Sequence, residues 1–123
     1  MKYTVSVIKW FASAHALRGY KGRCENLHGH NWKVRVSLSS HELDPIGMVV
    51  DFTDIKAHAG EVIRNLDHTY LNEHAPFDTI NPTAENIASY IFKEMKKIPR
   101  PGVTVESVEV WESESSCATV TEQ

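Results

Sequence analysis

An α+β sandwich, an antiparallel sheet with two helices packed on one face, is predicted by three observations. Stretches near both ends of the chain alternate apolar and polar residues with a period of two, the signature of half-buried strands. Two central stretches carry apolar stripes at helical spacing. The elements come in runs, β-β-α-α-β-β, with no βαβ unit, so the sheet has four strands and its helices gather on one side.

The first strand covers residues 3–15. Tyr3, Val5, Val7, Phe11, Ser13 and His15 share one parity, and Thr4, Ser6, Ile8 and Trp10 share the other. His15 therefore ends the strand on the face of Val5 and Val7. Residues 16–27 carry Gly19, Gly22, Arg18, Lys21 and Arg23 and read as a loop. Residues 28–40 alternate again, with Trp32, Val34, Val36 and Leu38 on one face and Lys33, Arg35 and Ser37 on the other. His28 and His30 have the parity of the apolar set. Residues 41–47 form a turn marked by Asp44-Pro45 and Gly47.

Asp51 or Thr53 caps a first helix, whose stripe is Ile55, Ala59, Val62, Ile63 and Leu66 and which stops near Asp67-His68. A loop with two prolines follows over residues 72–82. Thr83 caps the second helix, with Glu85 in its first turn, a stripe of Ile87, Tyr90, Ile91, Met95 and Ile98, and Pro99 and Pro101 beyond its end. In the strand over 103–112, Val108, Val110 and Glu112 share a face. A short last strand lies around 116–121. No linker or repeat interrupts the pattern, so residues 1–123 read as one domain.

The 123 residues include 13 Lys and Arg against 16 Asp and Glu, a net charge of −3. That balance gives no bulk attraction to nucleic acid or to an anionic membrane. No apolar run reaches the roughly 20 residues of a membrane span, and Lys9 breaks the N-terminal run where a secretory leader would need its apolar core. Two cysteines make no disulfide framework, which points to reduced thiols and the cytoplasm. Histidine is the outlier, with seven in the chain.

His28 and His30, at i and i+2 on a strand, point the same way roughly 6.5–7 Å apart along it. His15, ending a neighbouring strand, completes a three-nitrogen set. Three histidines suit Zn²⁺ with a fourth position left for a reactant, the catalytic rather than the structural arrangement. The bland alternative is three ordinary strand-end residues. Gly29 between the pair relaxes the backbone. Cys24, four residues before His28, reads either as a further zinc ligand or as a proton-transfer thiolate whose pKa is lowered by Lys21, Arg23 and a nearby metal. Cys117 has no such context and reads as a small buried thiol.

Asp67-His68 is a possible proton relay, in which the carboxylate fixes the imidazole's tautomer, or else a plain histidine at a helix C-terminus. Glu112, at apolar parity, is either a bidentate acceptor for a ligand's paired N–H groups or a solvated edge residue among Glu106, Glu109 and Glu114. Arg18, Lys21, Arg23 and Arg35 could meet a phosphorylated ligand or lie in solvent. The aromatic residues sit mostly at core parity and offer no stacking platform for nucleic acid.

The segments FASAH (11–15), CENLHGHNW (24–32), GMVVDF (47–52), LDHTYLN (66–72), NPTAEN (81–86) and VEVWES (108–113) together resemble the 6-pyruvoyltetrahydropterin synthase family, and within it the branch that makes 6-carboxytetrahydropterin for queuosine. The resemblance runs in order along nearly the whole chain. It implies a tunnelling fold whose subunits join their sheets into barrels, as trimers stacked into hexamers, with active sites at the interfaces. It implies metal ligation by His15, His28 and His30. It assigns Cys24 to acid/base work rather than ligation, Asp67 and His68 to a relay across the interface from Cys24, and Glu112 to anchoring the pterin.

The implied substrate is 7,8-dihydroneopterin triphosphate, and the implied products are 6-carboxy-5,6,7,8-tetrahydropterin, acetaldehyde and triphosphate. The three-residue spacer between Cys24 and His28, shorter than in the animal-type synthases, favours this branch. Glu25, three residues before His28, matches the acid/base position of a folate-pathway branch. It implies cleavage to 6-hydroxymethyl-7,8-dihydropterin as an alternative or second activity. A non-catalytic pterin- or metal-binding protein on the same fold is the third reading; such a protein would have no need of Cys24, Asp67 and His68. The tail, SESSCATVTEQ, departs from the family's usual ending.

Overall fold

A computed structural model describes residues 1–20, 26–97 and 100–122. The order is β1 (Tyr3–His15), β2 (His28–Ser40), α1 (Phe52–Arg64), β3 (Thr69–Tyr70), a 3₁₀ turn (Leu71–Glu73), α2 (Ala84–Met95), β4 (Thr104–Ser113) and β5 (Ser116–Val120). One sheet runs β3-β1-β2-β4-β5. It has five strands where four were expected. The extra one, β3, is only two residues long and pairs in parallel with Ser13 and Ala14 of β1. Two residues are too few for an alternation to show.

β1 and β2 pair without a break from Tyr3↔Ser40 to His15↔His28. The alternation explains the register: Val7 and Phe11 must share a face with Trp32, Val34, Val36 and Leu38, and a one-residue slip would expose the whole row. Those four β2 residues are at most 1% exposed. The same register carries the histidines, since it sets His15 opposite His28 and Ser13 opposite His30.

Both helices cover this apolar face. The Asp51 carboxylate, rather than Thr53, caps α1 by accepting from the Thr53 N–H at 2.8 Å, and Ile55, Ala59, Val62 and Ile63 pack inward. Thr83 caps α2 by accepting from the Asn86 N–H at 3.1 Å, and Ile87, Ala88, Ile91, Phe92 and Met95 are buried. Ile98 and Pro99, expected at this helix's end, lie outside the described residues. α1 packs on β1, and α2 on β4 and β5. No helix among the described residues is long and apolar enough to cross a membrane.

The opposite face of the sheet is open. Trp10, Lys33 and Trp111 lie side by side across β1, β2 and β4. The Lys33 ammonium sits 4.9 Å from the Trp111 ring centroid, and Trp10 is 62% exposed. Both tryptophans lie on the parity opposite the buried rows, where the alternation places them. Two sheet edges are also unpaired among the described residues: the outer edge of β5, and that of β1 outside Ser13 and Ala14.

Candidate metal centre and its surroundings

The site forms at one end of the β1–β2 ladder. His15 is 1% exposed, and its Nδ1 lies 2.7 Å from the carbonyl of Pro82, at the entrance to α2. A carbonyl only accepts, so Nδ1 carries a proton, and in the neutral ring Nε2 is then bare. His28 is held the same way, its Nδ1 donating to the carbonyl of Asn26 at 2.8 Å. The two bare Nε2 atoms then face each other at 3.0 Å. Facing lone pairs repel unless a proton or a cation lies between them. Two nitrogens on one tetrahedral zinc ion stand about 3.3 Å apart.

The His30 ring completes the set, with centroids 5.1 Å from His15 and 4.6 Å from His28. Trp32, fully buried, packs edge-on against His15 at 4.9 Å and His30 at 5.2 Å and walls off the inner side. Ligating atoms of His15, His28, His30 and Glu112 all lie within 4.8 Å of one another. The donor chemistry and the locked tautomers fit a divalent metal ion.

Glu112 is the member whose place the sequence left open. Its Oε1 lies 3.1 Å from His30 Nε2. The β4–β5 register shifts between Trp111 and Ser113, the residues flanking Glu112. A bulge at that point re-aims a side chain, and here the carboxylate meets the histidines. Glu112 borders the cluster with 38% of its side chain exposed.

Asp67 and His68 touch each other, with Oδ1 to Nδ1 at 3.1 Å. The same Oδ1 accepts from the Ala12 N–H at 2.9 Å, and the His68 N–H donates to the Ala12 carbonyl at 2.6 Å. This ties the pair to the β1 edge and starts β3. His68 adopts φ 56°, the left-handed region, a strained backbone for a non-glycine residue. Its side chain is 82% exposed and directed outward. It is not among the atoms of the histidine–glutamate group. A hollow of about 490 Å³ beside β1 is nevertheless lined by both His30 and His68.

Other expected residues fare differently. Cys24 and Glu25 lie outside the described residues, as do Lys21 and Arg23. Arg18 is engaged within the chain. Its guanidinium donates to the carbonyls of Phe77 at 2.6 Å, Asn72 at 3.3 Å and Ile80 at 3.3 Å, tying the loop after β1 to residues 72–80. Arg35 projects from the open face and pairs with Glu109, whose carboxylate holds the guanidinium pKa above its ordinary value. Cys117 is exposed on β5 rather than buried. Gly29 is not sterically required: its φ is not positive, and an added Cβ would meet its first neighbour at 3.9 Å. The carbonyls of Pro82 and Asn26 were missed; both residues fall within NPTAEN and CENLHGHNW, but nothing local marks a carbonyl as an orienting group.

The family model for 6-pyruvoyl tetrahydropterin synthase matches residues 4–123. The chain is 40% identical over 113 residues to the 6-carboxy-5,6,7,8-tetrahydropterin synthase of Synechocystis sp., covering 88% of this chain and 84% of that protein. It is 38% identical over 100 residues to the human 6-pyruvoyl tetrahydrobiopterin synthase, covering 77% and 68%. Among solved structures, Caenorhabditis elegans 6-pyruvoyl tetrahydropterin synthase superposes with a TM-score of 0.87 at 28% identity, covering 100% of this chain and 97% of that one.

Proposed function

Because the chain belongs to the 6-pyruvoyl tetrahydropterin synthase family, and because the Nε2 atoms of His15 and His28 face each other with the His30 ring beside them, we propose that it is a zinc-dependent 6-carboxy-5,6,7,8-tetrahydropterin synthase, a lyase. It converts 7,8-dihydroneopterin triphosphate to 6-carboxytetrahydropterin, acetaldehyde and triphosphate. Residues 1–123 act as one catalytic domain in the cytoplasm. The observation that carries the proposal is the pair of facing Nε2 atoms at 3.0 Å, a geometry that a bound cation stabilises.

His15, His28 and His30 hold the ion. When bound, zinc polarises the hydroxyls of the substrate's side chain and makes them more acidic. Cys24 moves protons at that side chain. Asp67 orients the His68 imidazole, which carries protons in the same reaction. Glu112 accepts the paired N–H groups of the pterin ring. The outward direction of His68 supports a site completed across a subunit boundary, where the relay of one chain serves the neighbouring chain's Cys24. The two unpaired sheet edges support an assembly through strand pairing, a trimer stacked as a hexamer.

Glu112→Ala should weaken pterin binding roughly 10–100-fold in calorimetry, the scale of a lost charge-assisted hydrogen-bond pair, while zinc content holds. Zinc lost with pterin affinity intact would make Glu112 a metal ligand instead. One second reading has a specific observation behind it: Glu25 beside Cys24 favours cleavage to 6-hydroxymethyl-7,8-dihydropterin. Mass spectrometry of the products from dihydroneopterin triphosphate tests the function directly. The 6-carboxy product is expected as the main one. The hydroxymethyl product alone would move the chain to the folate-type reaction.

A further inference from the structure

Among the described residues, Ser13 is the one buried serine near the histidines whose hydroxyl has no hydrogen-bond partner. It is 7% exposed, on the face of β1 that carries Phe11 and His15, and its Oγ meets no donor or acceptor among the described residues. Its cross-strand partner is His30, so the hydroxyl stands beside one metal-capable imidazole and two residues from another. It also lines the hollow shared by His30 and His68. The buried serines of β2 find partners: Ser37 with Ser6 at 2.7 Å, Ser39 with Glu106 at 2.7 Å and Ser40 with the Glu42 N–H at 3.1 Å. A buried hydroxyl without a partner destabilises the protein relative to alanine. Alanine would suit this strand position better unless a ligand supplies the missing partner.

We propose that the Ser13 hydroxyl recognises a hydroxyl of the substrate's side chain and positions that side chain against the histidine cluster. The ligand class is a pterin bearing a polyhydroxylated side chain. The inference rests on the function proposed above and adds a specificity-determining residue to it. Ser13 acts as a hydrogen-bond partner and not as an acid or base.

The test is Ser13→Ala, read in two ways. In metal-free protein the variant should melt roughly 3–6 °C higher, because an unsatisfied buried group is removed. In zinc-loaded protein on the Cys24→Ala background, where turnover does not interfere, calorimetry compares two probes. Dihydroneopterin triphosphate should bind about tenfold more weakly to the variant, as expected for one lost hydrogen bond. A 6-methyl dihydropterin, which lacks the hydroxyls, should bind equally to both. Equal affinities for the triphosphate, or equal losses for both probes, would overturn the proposal while leaving the function intact. So would a drop in the variant's zinc content, which would assign the effect to His30. Parent protein that binds neither pterin would overturn the function and this inference with it.

Discussion

Replacing His28 by alanine is expected to remove zinc and activity together. Metal analysis of the unaltered protein should give about one ion per chain, and the variant should retain almost none. Turnover should fall by more than about 100-fold, the upper range for loss of a mere outer-shell partner of a metal site. The variant should still fold, because His28 is only partly buried at the end of β2 and the core beneath it rests on Trp32, Val34 and Val36. Unchanged circular dichroism with lost zinc supports the metal role. Full activity in metal-free protein would end it.

The second large effect concerns Cys24. Cys24→Ala should keep zinc and pterin binding but lose about 10²–10⁴-fold in turnover, the usual contribution of a positioned proton-transfer group. The loss should fall on kcat, with KM little changed. A partner experiment separates a relay within one chain from one across a boundary. His68→Ala should be similarly inactive by itself. Dissociated and reassembled together, the two inactive variants should recover about a quarter of the wild-type rate, since random assortment leaves that share of boundaries with both groups intact. No recovery in verified mixed oligomers would place Cys24 and His68 within one subunit. Unchanged turnover in Cys24→Ala would remove its assigned role altogether.

Much of the site could be read from the chain because it lies at strand ends. Alternation put His15, His28 and His30 on the buried face, and the demand that Val7, Phe11, Trp32 and Val34 share that face sets the register that brings them together. The parts that could not be read depend on contacts distant in sequence. β3 arises from one carboxylate, Asp67, and the left-handed backbone of His68, which no glycine announces. The approach of Glu112 to His30 depends on a register shift that alternation cannot forecast. Arg18 looked like a free cation because its carbonyl partners lie more than 50 residues away. Trp10 and Trp111 sit on the open face, where apolar surface accumulates at sites of association.

Zinc K-edge absorption on the loaded protein tests the metal centre most directly. Three imidazole nitrogens at about 2.0–2.1 Å with one oxygen and no sulfur are expected. A sulfur neighbour at about 2.3 Å would make Cys24 a ligand and close the position the reactant needs. A protein that takes up no zinc at all would contradict the centre outright.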